Sequence, residues 1–291
     1  MNSYIPAFLI LILFHVSALA QGPLTEEQKA EWKDLKPDVT SQSIKRVNYR
    51  FPLSDQKNVG KWVKNAFFSD EFNGKKLDDK KWWPTNPEWK GRQPGWFDPQ
   101  NVVIKDGCLQ LNACKAEPAG MPISEGYKTY TTAAIKSKER TLYGYYEVRA
   151  KAMNSAASSA FWFYAGDKDR WTEIDVFEIG GKSAGYEKKM NITMHVFRTP
   201  ENDQHWSVGS FFLSPANLAD DFHVYGLEWD EKAINFYFDG VLVRTGPNTQ
   251  WHQPLNMNFD SETMPDWFGL PKDEDLPSTF SVDYIRAWKK K

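Results

Sequence analysis

Cysteine and histidine are scarce in this chain of 291 residues, which has two cysteines and five histidines. They form no cluster with the spacing of a zinc site, and the sequence has neither a glycine-rich phosphate loop nor the G-x-S-x-G turn of serine hydrolases. Cys108 and Cys114 lie in a segment that alternates like a strand, where six residues span about 20 Å. A disulfide needs Cα atoms about 4.4 to 6.8 Å apart. We therefore expect two free, buried thiols.

An excess of one charge is also lacking. The 36 Lys and Arg residues nearly balance 38 Asp and Glu residues, which gives a formal net charge of −2. Nucleic-acid binders usually carry a basic excess, and three lysines at the C-terminus are too few to supply one. The composition therefore argues against a nucleic-acid partner.

Long apolar runs are absent except at the start of the chain. Residues 6–16 are apolar but too short to span a bilayer, and Ala18 and Ala20 fit an A-x-A cleavage site. Residues 1–20 therefore predict a signal peptide, although residues 1–4 contain no Lys or Arg. We expect a secreted or periplasmic protein without a membrane anchor. Residues 21–47 are predicted to be a linker or N-terminal strap, and residues 48–291 a single domain.

Helical periodicity is weak after residue 47. Strand-like alternation occurs in residues 101–104, 144–151, 189–196 and 233–238, and Asp-Gly pairs at residues 106–107 and 239–240 are typical of hairpin turns. Many short strands without helices predict an all-β sandwich. Aromatic residues are abundant at 15%, with 13 tryptophans, which suit both a core and flat platforms for sugar rings.

Residues 171–178 (WTEIDVFE) have the pattern of a buried strand but contain three carboxylates. Because strand side chains alternate between faces, Glu173 and Asp175 share one face, and a β-bulge before Glu178 returns that residue to it. The glutamate Cα atoms are then about 13 Å apart. Their carboxyl groups can lean to within roughly 5 to 6 Å, near the spacing of a retaining glycosidase. The alternative is a solvated acidic strand, but the aromatic run at residues 160–165 favours a central strand.

Carboxylates this close cannot all ionise easily, so one of them retains a proton and can serve as an acid. The spacing leaves open which glutamate that is. The two glutamates are thus predicted to act as a nucleophile and an acid/base catalyst.

The motif at residues 173–178 (EIDVFE) resembles glycoside hydrolase family 16, in particular the agarases and porphyranases that cleave red-algal galactans. The resemblance covers residues 48–291. Supporting segments are residues 69–74 (SDEFNG), 146–151 (YEVRAK), 222–229 (FHVYGLEW), 238–240 (FDG) and 282–286 (VDYIR). It implies a β-jelly roll sandwich of two antiparallel sheets with a concave cleft, and endo-acting, retaining hydrolysis of β-1,4 bonds in agarose or porphyran.

The resemblance also implies the roles of the acids. Glu173 is expected to be the nucleophile, Glu178 the acid/base and Asp175 the carboxylate that tunes them. No cofactor is required for this chemistry. The family often holds a structural calcium, here expected to bind backbone oxygens near Glu71 and Gly74 and a carboxylate such as that of Asp283.

Several further residues are candidates for binding sugar. Trp89 and Arg92 resemble the loop at the non-reducing side of the galactanase cleft, and Trp162 the platform under the cleaved bond. His195 and Glu262 are expected beside the acids, and Arg149 and Arg198 are candidate sulfate ligands because guanidinium groups bind oxyanions in a bidentate way. Each also has a structural alternative, as a core side chain or an ion-pair partner.

The substrate is less well defined than the chemistry. Residues 260–271 depart from the agarase pattern, so carrageenan or laminarin are alternatives, as is a carbohydrate-binding jelly roll that has lost catalysis. We expect a polysaccharide as the partner of a monomeric enzyme.

Overall fold

The computed structural model describes residues 24–291, so the expected signal peptide lies outside the described residues. Within residues 24–291 no helix is long and apolar enough to cross a membrane. The single α-helix is α1 (Glu26–Ala30), and short 3-10 helices are Leu53–Asp55, Pro99–Asn101, Ile123–Glu125 and Asp273–Asp275. The strands are β1 (Lys33–Asp34), β2 (Trp62–Lys64), β3 (Trp82–Trp83), β4 (Gly95–Phe97), β5 (Val102–Lys105), β6 (Cys108–Lys115), β7 (Tyr130–Thr141), β8 (Gly144–Lys151), β9 (Ser158–Gly166), β10 (Trp171–Gly180), β11 (Lys189–Arg198), β12 (Trp206–Leu213), β13 (His223–Trp229), β14 (Ala233–Phe238), β15 (Val241–Pro247), β16 (Leu255–Ser261) and β17 (Ser278–Lys290).

Two sheets pack face to face. The inner sheet has the order β3-β7-β16-β9-β10-β11-β12. The outer sheet has the order β5-β6-β17-β8-β13-β14-β15-β1, with β2 added to the end of β17. A short β6–β7 pairing joins the sheets at one edge, and β4 pairs with β7 in parallel, as the one departure from antiparallel pairing among the described strands. The predicted all-β jelly roll is confirmed.

The Asp-Gly pairs form the turns that the sequence predicts. Asp106 and Gly107 have φ values of 55° and 71°, and Asp239 and Gly240 have values of 48° and 81°. Two successive residues in the left-handed region match the twist of a two-residue hairpin. Strands β8 and β14 begin and end where the alternation predicts.

The core lies between the sheets because the inner strands alternate. Phe161 and Phe163 of β9 and Ile174 and Val176 of β10 point inward and are fully buried. Each such side chain contributes roughly 1.5 to 3 kcal/mol when buried. The residues between them therefore face the concave side, and these include the aromatic and acidic side chains of the predicted site.

Residues 24–35 lie against the outer sheet. The strand β1 pairs with β15, and Asp34 accepts a hydrogen bond from Arg244 at 2.7 Å. Trp32 is buried under the Arg244 guanidinium and edge-on to Trp251, with ring centroids 6.4 Å apart. This part of the predicted linker or strap thus covers an edge that would otherwise be open.

Both cysteines are free, as expected, but they are half-buried rather than buried. The even spacing places Cys108 and Cys114 on the outward face of β6, while Leu109, Leu111 and Ala113 face the core. Burial raises the pKa of both thiols. The prediction of buried thiols was wrong because the side chains of Cys108 and Cys114 point to the outward face of β6 and not to the core.

Candidate active site

The three acids of β10 share the concave face of the inner sheet. Glu173 lies opposite His195 and Asp175 opposite Thr193, and the register with β11 shifts between Asp175 and Glu178. The pairing with β9 shifts at the same point. This is the β-bulge that the sequence predicts, and it returns Glu178 to the face of the other two acids.

Two adjoining cavities of the concave face contain these acids. The smaller has a volume of about 380 Å³ and is lined by residues of β9, including Trp162 and Tyr164. We call it the Trp162 cavity. The larger, of about 790 Å³, is lined by His195 and Thr193 of β11, and we call it the His195 cavity. Both share Glu173, Asp175, Glu178, Trp89, Arg92 and Phe197.

Burial and mutual repulsion raise the pKa values of all three acids. For Glu173 the first cause is burial, followed by the charge of Asp175. Burial also comes first for Asp175, with Glu262 next. The pKa of Glu178 is raised well above its usual range by burial and by the charges of Asp175, Glu262 and Glu173. The site therefore retains protons at a pH where exposed carboxylates have lost theirs.

Glu173 and Glu178 differ in the groups that favour their ionised forms. His195 and Arg92 each lower the pKa of Glu173 against the dominant effect of burial. The principal influences on the pKa of Glu178 all raise it. Arg92 also interacts with Glu178, whose charge raises the pKa of Arg92. The group that makes Glu173 the easier of the two to ionise is therefore His195, whose Nε2 atom faces it.

His195 contacts the acids through Nε2. This atom lies 3.4 Å from Asp175 Oδ2 and 3.9 Å from Glu173 Oε1. Its Nδ1 atom lies 3.0 Å from Nε2 of His205, and the pKa values of both histidines are lowered by burial. A neutral imidazole with its N–H toward the carboxylates is the form that this arrangement favours.

Glu262 and Arg92 form an ion pair across the cleft. Arg92 Nε donates to Glu262 Oε2 at 3.0 Å, although 170 residues separate them. Glu262 is buried and Arg92 is half exposed. Burial raises the pKa of Glu262 to about 7, against the lowering effect of Arg92.

Asp260, a further buried acid, holds the ring of Trp162 in place in the Trp162 cavity. Trp162 Nε1 donates to Asp260 Oδ2 at 2.7 Å, and burial followed by the charge of Glu262 raises the pKa of Asp260. Trp89 packs edge-on against Trp162, with ring centroids 6.2 Å apart, and against Phe97 at 5.0 Å. Two indole rings at a right angle thus form a corner beside the acids.

The candidate residues Trp89, Arg92, Trp162, His195 and Glu262 are therefore brought together around the acids. Arg149 is not. It lies on β8 of the outer sheet, where it pairs with Asp283 at 2.9 Å and stacks over Phe222. Its expected role as a sulfate ligand in the cleft is wrong, because alternation on an outer strand points it away from the concave face.

Arg198 lies at the end of β11, opposite Trp171. Its Nη1 atom donates to the carbonyl oxygen of Lys168 at 2.9 Å. Arg198 lines neither cavity. Arg198 therefore lies at the edge of the cleft, where it is hydrogen-bonded to a backbone carbonyl, and it is not part of the cavity wall.

The structural calcium expected from backbone oxygens near Glu71 and Gly74 and from the Asp283 carboxylate stays a prediction. Glu71 is paired with Arg286 at 2.7 Å and with Lys64 at 2.9 Å, and its pKa falls to about 2 because these hydrogen bonds outweigh burial. Asp283 is paired with Arg149. Calcium also binds backbone carbonyl oxygens, and these ion pairs of side chains leave the backbone oxygens near Glu71 and Gly74 unaffected.

Several residues of the site are absent from the sequence prediction, and four of them make contacts that shape it. They are Asp260, His205, Trp251 and Trp267. Asp260 could have been found, because it precedes Glu262 by two residues and so shares its face. Nothing local marks the other three, whose roles arise from loops packing against distant strands.

Comparison with known proteins agrees with this geometry. Residues 62–290 match the family model described as beta-porphyranase A–D, GH16 domain. Beta-porphyranase B of Phocaeicola plebeius is 32% identical over 275 residues, which cover 79% of this chain and 85% of that protein. The crystal structure of porphyranase B from Zobellia galactanivorans superimposes with a TM-score of 0.70 at 28% identity, covering 78% of this chain and 92% of that one. Kappa-carrageenase of Pseudoalteromonas carrageenovora is 28% identical over 267 residues, 79% of this chain and 65% of that protein. The chain belongs to glycoside hydrolase family 16, within the group of beta-porphyranase domains.

Proposed function

We propose that this protein is an endo-acting, retaining glycosidase that hydrolyses β-1,4 linkages in an agar-type galactan, with porphyran as its substrate. The observation that carries the proposal is the placement of Glu173 and Glu178 on one face of β10, with Asp175 between them, at the bottom of a cleft. Both cavities are open and adjoin at the acids. A polymer can therefore lie across them and be cut internally.

In the first step Glu173 attacks the anomeric carbon while Glu178 gives its proton to the glycosidic oxygen. The bond from carbon to that oxygen breaks, the leaving chain departs as an alcohol, and a glycosyl ester forms on Glu173. The different surroundings of the two glutamates support this assignment. His195 favours the ionised form of Glu173, and the charges of Asp175, Glu262 and Glu173 favour the protonated form of Glu178.

In the second step Glu178, now ionised, takes a proton from water as the water attacks the same carbon. The ester bond to Glu173 breaks, the carboxylate returns, and the configuration of the sugar is retained after two inversions. Asp175 tunes both glutamates, because its charge raises the pKa of each of them.

The cleft supports a sugar chain that carries anions. Trp162 and Trp89 offer stacking surfaces, as aromatic rings do for apolar faces of ligands. Arg92 is the one Lys or Arg among the residues that line the two cavities. Its Nε atom is bound to Glu262, which leaves the terminal nitrogens for an oxyanion such as a galactose sulfate.

The names of the relatives favour porphyran. Four relatives named beta-porphyranase are 30 to 32% identical to this chain, whereas beta-porphyranase C and beta-agarase A of Zobellia galactanivorans are each 27% identical. Carrageenan remains an alternative on the likeness to kappa-carrageenase, and laminarin on the 27% identity to glucan endo-1,3-beta-glucosidase A1 of Niallia circulans. The intact acids oppose a binding protein without catalysis.

The decisive experiment is a reducing-sugar assay on porphyran, agarose, kappa-carrageenan and laminarin. We expect wild type to be most active on porphyran and Glu173→Gln and Glu178→Gln to be inactive on every substrate. The matched control is Glu139→Gln, because Glu139 is exposed on β7 and lines neither cavity. Equal activity of wild type and Glu173→Gln overturns the mechanism, and a preference for another polymer overturns the substrate.

Stereochemistry gives an independent check. Proton NMR of the first product should show the β-anomer before mutarotation, and azide added to Glu173→Ala should yield an α-glycosyl azide. An α-anomer as first product from wild type would exclude a covalent intermediate on Glu173.

We also propose that the protein is exported through cleavage before Gln21 and acts as a monomer. N-terminal sequencing of the protein from a bacterial host that exports it should begin at Gln21. Light scattering should give the mass of one chain.

A further inference from the structure

Trp267 is an exposed side chain beside the active site. Of the 13 tryptophans, only Trp83 and Trp267 are more than one-third exposed, at 44% and 38%. The ring of Trp83 is covered by the ammonium group of Lys138, 4.2 Å from its centroid. Trp267 instead lines the His195 cavity, which also contains the acids. A large apolar ring kept in contact with water at a cavity wall suits a ligand.

The indole of Trp267 is held rigidly. The backbone N–H groups of Trp267, Phe268 and Gly269 all donate to the carbonyl of Met264, at 3.0, 2.9 and 3.1 Å. The ring stacks on buried Phe268 with centroids 4.3 Å apart and planes at 25°, and it meets Tyr186 edge-on at 6.1 Å. One face of the indole is therefore covered by protein, and its orientation is set before any ligand binds.

The hairpin that carries Trp267, in which Met264 pairs with Gly269, is anchored to the catalytic site. It follows Thr263, whose hydroxyl donates to the carbonyl of Arg92 at 2.7 Å and accepts from the N–H of Gly95 at 3.0 Å. Glu262, directly before it, is the partner of Arg92. Trp267 and the ion pair thus belong to one connected unit, which places the ring at a constant position relative to the acids.

Trp267 and Trp162 serve different halves of the cleft. Trp162 lines the Trp162 cavity and Trp267 the His195 cavity, and the acids lie where the two meet. A polymer cut at the acids must occupy both halves. The first half has the corner of Trp89 and Trp162 as a stacking surface. The second half has Trp267 as its exposed tryptophan.

We propose that Trp267 is a stacking platform for a galactosyl residue of the substrate, on the opposite side of the cleaved bond from Trp162. The axial hydroxyl of galactose leaves one ring face lined by C–H groups, and such a face packs on an indole. Polar side chains of the same cavity, Asp266 and Gln93, are placed to meet hydroxyl groups at its rim. The proposal rests on the proposed function, since it assigns a subsite to that substrate.

The test measures binding as a function of chain length. In the inactive Glu173→Gln background, porphyran oligosaccharides of increasing length are titrated by calorimetry into variants that also carry Trp267→Ala or Trp267→Phe. We expect Trp267→Ala to weaken the binding of chains long enough to cross the acids by about tenfold, and to leave short chains that fill only the Trp162 cavity unchanged. Trp267→Phe, which keeps a ring over Phe268, should lose less.

Phe67→Ala is the matched control, because Phe67 is an aromatic side chain that is 50% exposed and lines neither cavity. In the active enzyme, Trp267→Ala should lower kcat/KM on the polymer with no change in melting temperature. An equal loss for all chain lengths, or none, overturns the platform. If wild type neither binds nor cleaves these galactans, the proposed function itself fails, whereas normal cleavage with unchanged binding by Trp267→Ala refutes the platform alone.

Discussion

The Nδ1 atom of His195 and the Nε2 atom of His205 lie 3.0 Å apart. Because Nε2 of His195 faces the oxygen atoms of Asp175 and Glu173, that nitrogen carries the proton and Nδ1 is the acceptor. His205 is therefore the donor. Its ring is stacked on Phe197, with centroids 4.4 Å apart and planes at 6°, so the donor is held in place. His205 sets the tautomer that His195 presents to the acids.

We expect His205→Ala to lower kcat/KM about fivefold, since the lost hydrogen bond is worth about 1 kcal/mol. His205→Gln should recover most of the activity, because its amide can donate to Nδ1 of His195. His205 is exposed, so the melting temperature should barely change in either variant. Identical kinetics for wild type and His205→Ala would contradict this role.

Replacing Asp175 should move the pH profile in a defined direction. The proposed mechanism needs Glu173 ionised and Glu178 protonated, so kcat/KM should be bell-shaped and its alkaline limb should report the pKa of Glu178. The charge of Asp175 raises that pKa. Asp175→Asn should therefore shift the alkaline limb to lower pH. The pH dependence of kcat/KM for both proteins is the measurement, and an alkaline shift of that limb would show that Asp175 acts in another way.

Asp260 should contribute to stability as a neutral acid. Its folded pKa is raised well above the usual range, so its contribution is fully present below its unfolded pKa and is lost as pH rises through the folded pKa. Asp260→Asn stays neutral and still accepts from Trp162 Nε1. We expect the melting temperature of Asp260→Asn to fall less than that of wild type as pH rises above 3.8, the ordinary pKa of an aspartate, and Asp260→Ala to be less stable than wild type at low pH. A parallel fall for wild type and Asp260→Asn would show that Asp260 does not titrate in this range.

Trp251 ties the two central strands together from the core side. Its Nε1 atom donates to the carbonyl of Glu173 at 2.8 Å and to that of His195 at 3.2 Å. Trp251→Phe leaves these carbonyls without that donor, which should cost about 1 to 3 kcal/mol in urea unfolding. Trp62→Phe makes the same ring change in a separate small cluster with Tyr145 and should cost less. If both variants lose the same free energy of unfolding, Trp251 contributes through packing alone and not through its hydrogen bonds.

Arg92 should distinguish sulfated from neutral galactans. Its terminal nitrogens are the guanidinium donors of the cleft wall, so Arg92→Gln should lower kcat/KM on porphyran about tenfold more than on agarose. Arg149→Gln is the matched control, because Arg149 lies on the outer sheet. The rates of both variants on the two polymers provide the check. An equal loss of kcat/KM on both polymers would mean that Arg92 binds the sugar but does not contact its sulfate.

Much of the fold could be predicted because strand alternation and turn residues are local. Strands β8 and β14 and both Asp-Gly turns follow from a few adjacent residues. The bulge before Glu178 follows from the alternation within residues 171–178, because without it Glu178 would point to the opposite face from Glu173 and Asp175. By contrast, the sequence pattern could not tell an inner strand from an outer one or the core face from the outward face. It therefore could not show that Arg149 points away from the cleft and the two thiols away from the core.

The sequence by itself determined the all-β class, the three acids on one strand face and hence the type of chemistry. The alternation of β10 with period two and a single bulge is enough to bring Glu173, Asp175 and Glu178 together. Tertiary structure alone decided what surrounds them: the pair of Arg92 with Glu262, the donor His205 and the platform Trp267. These contacts join residues far apart in the chain, and long-range sheet packing leaves no mark in any short segment.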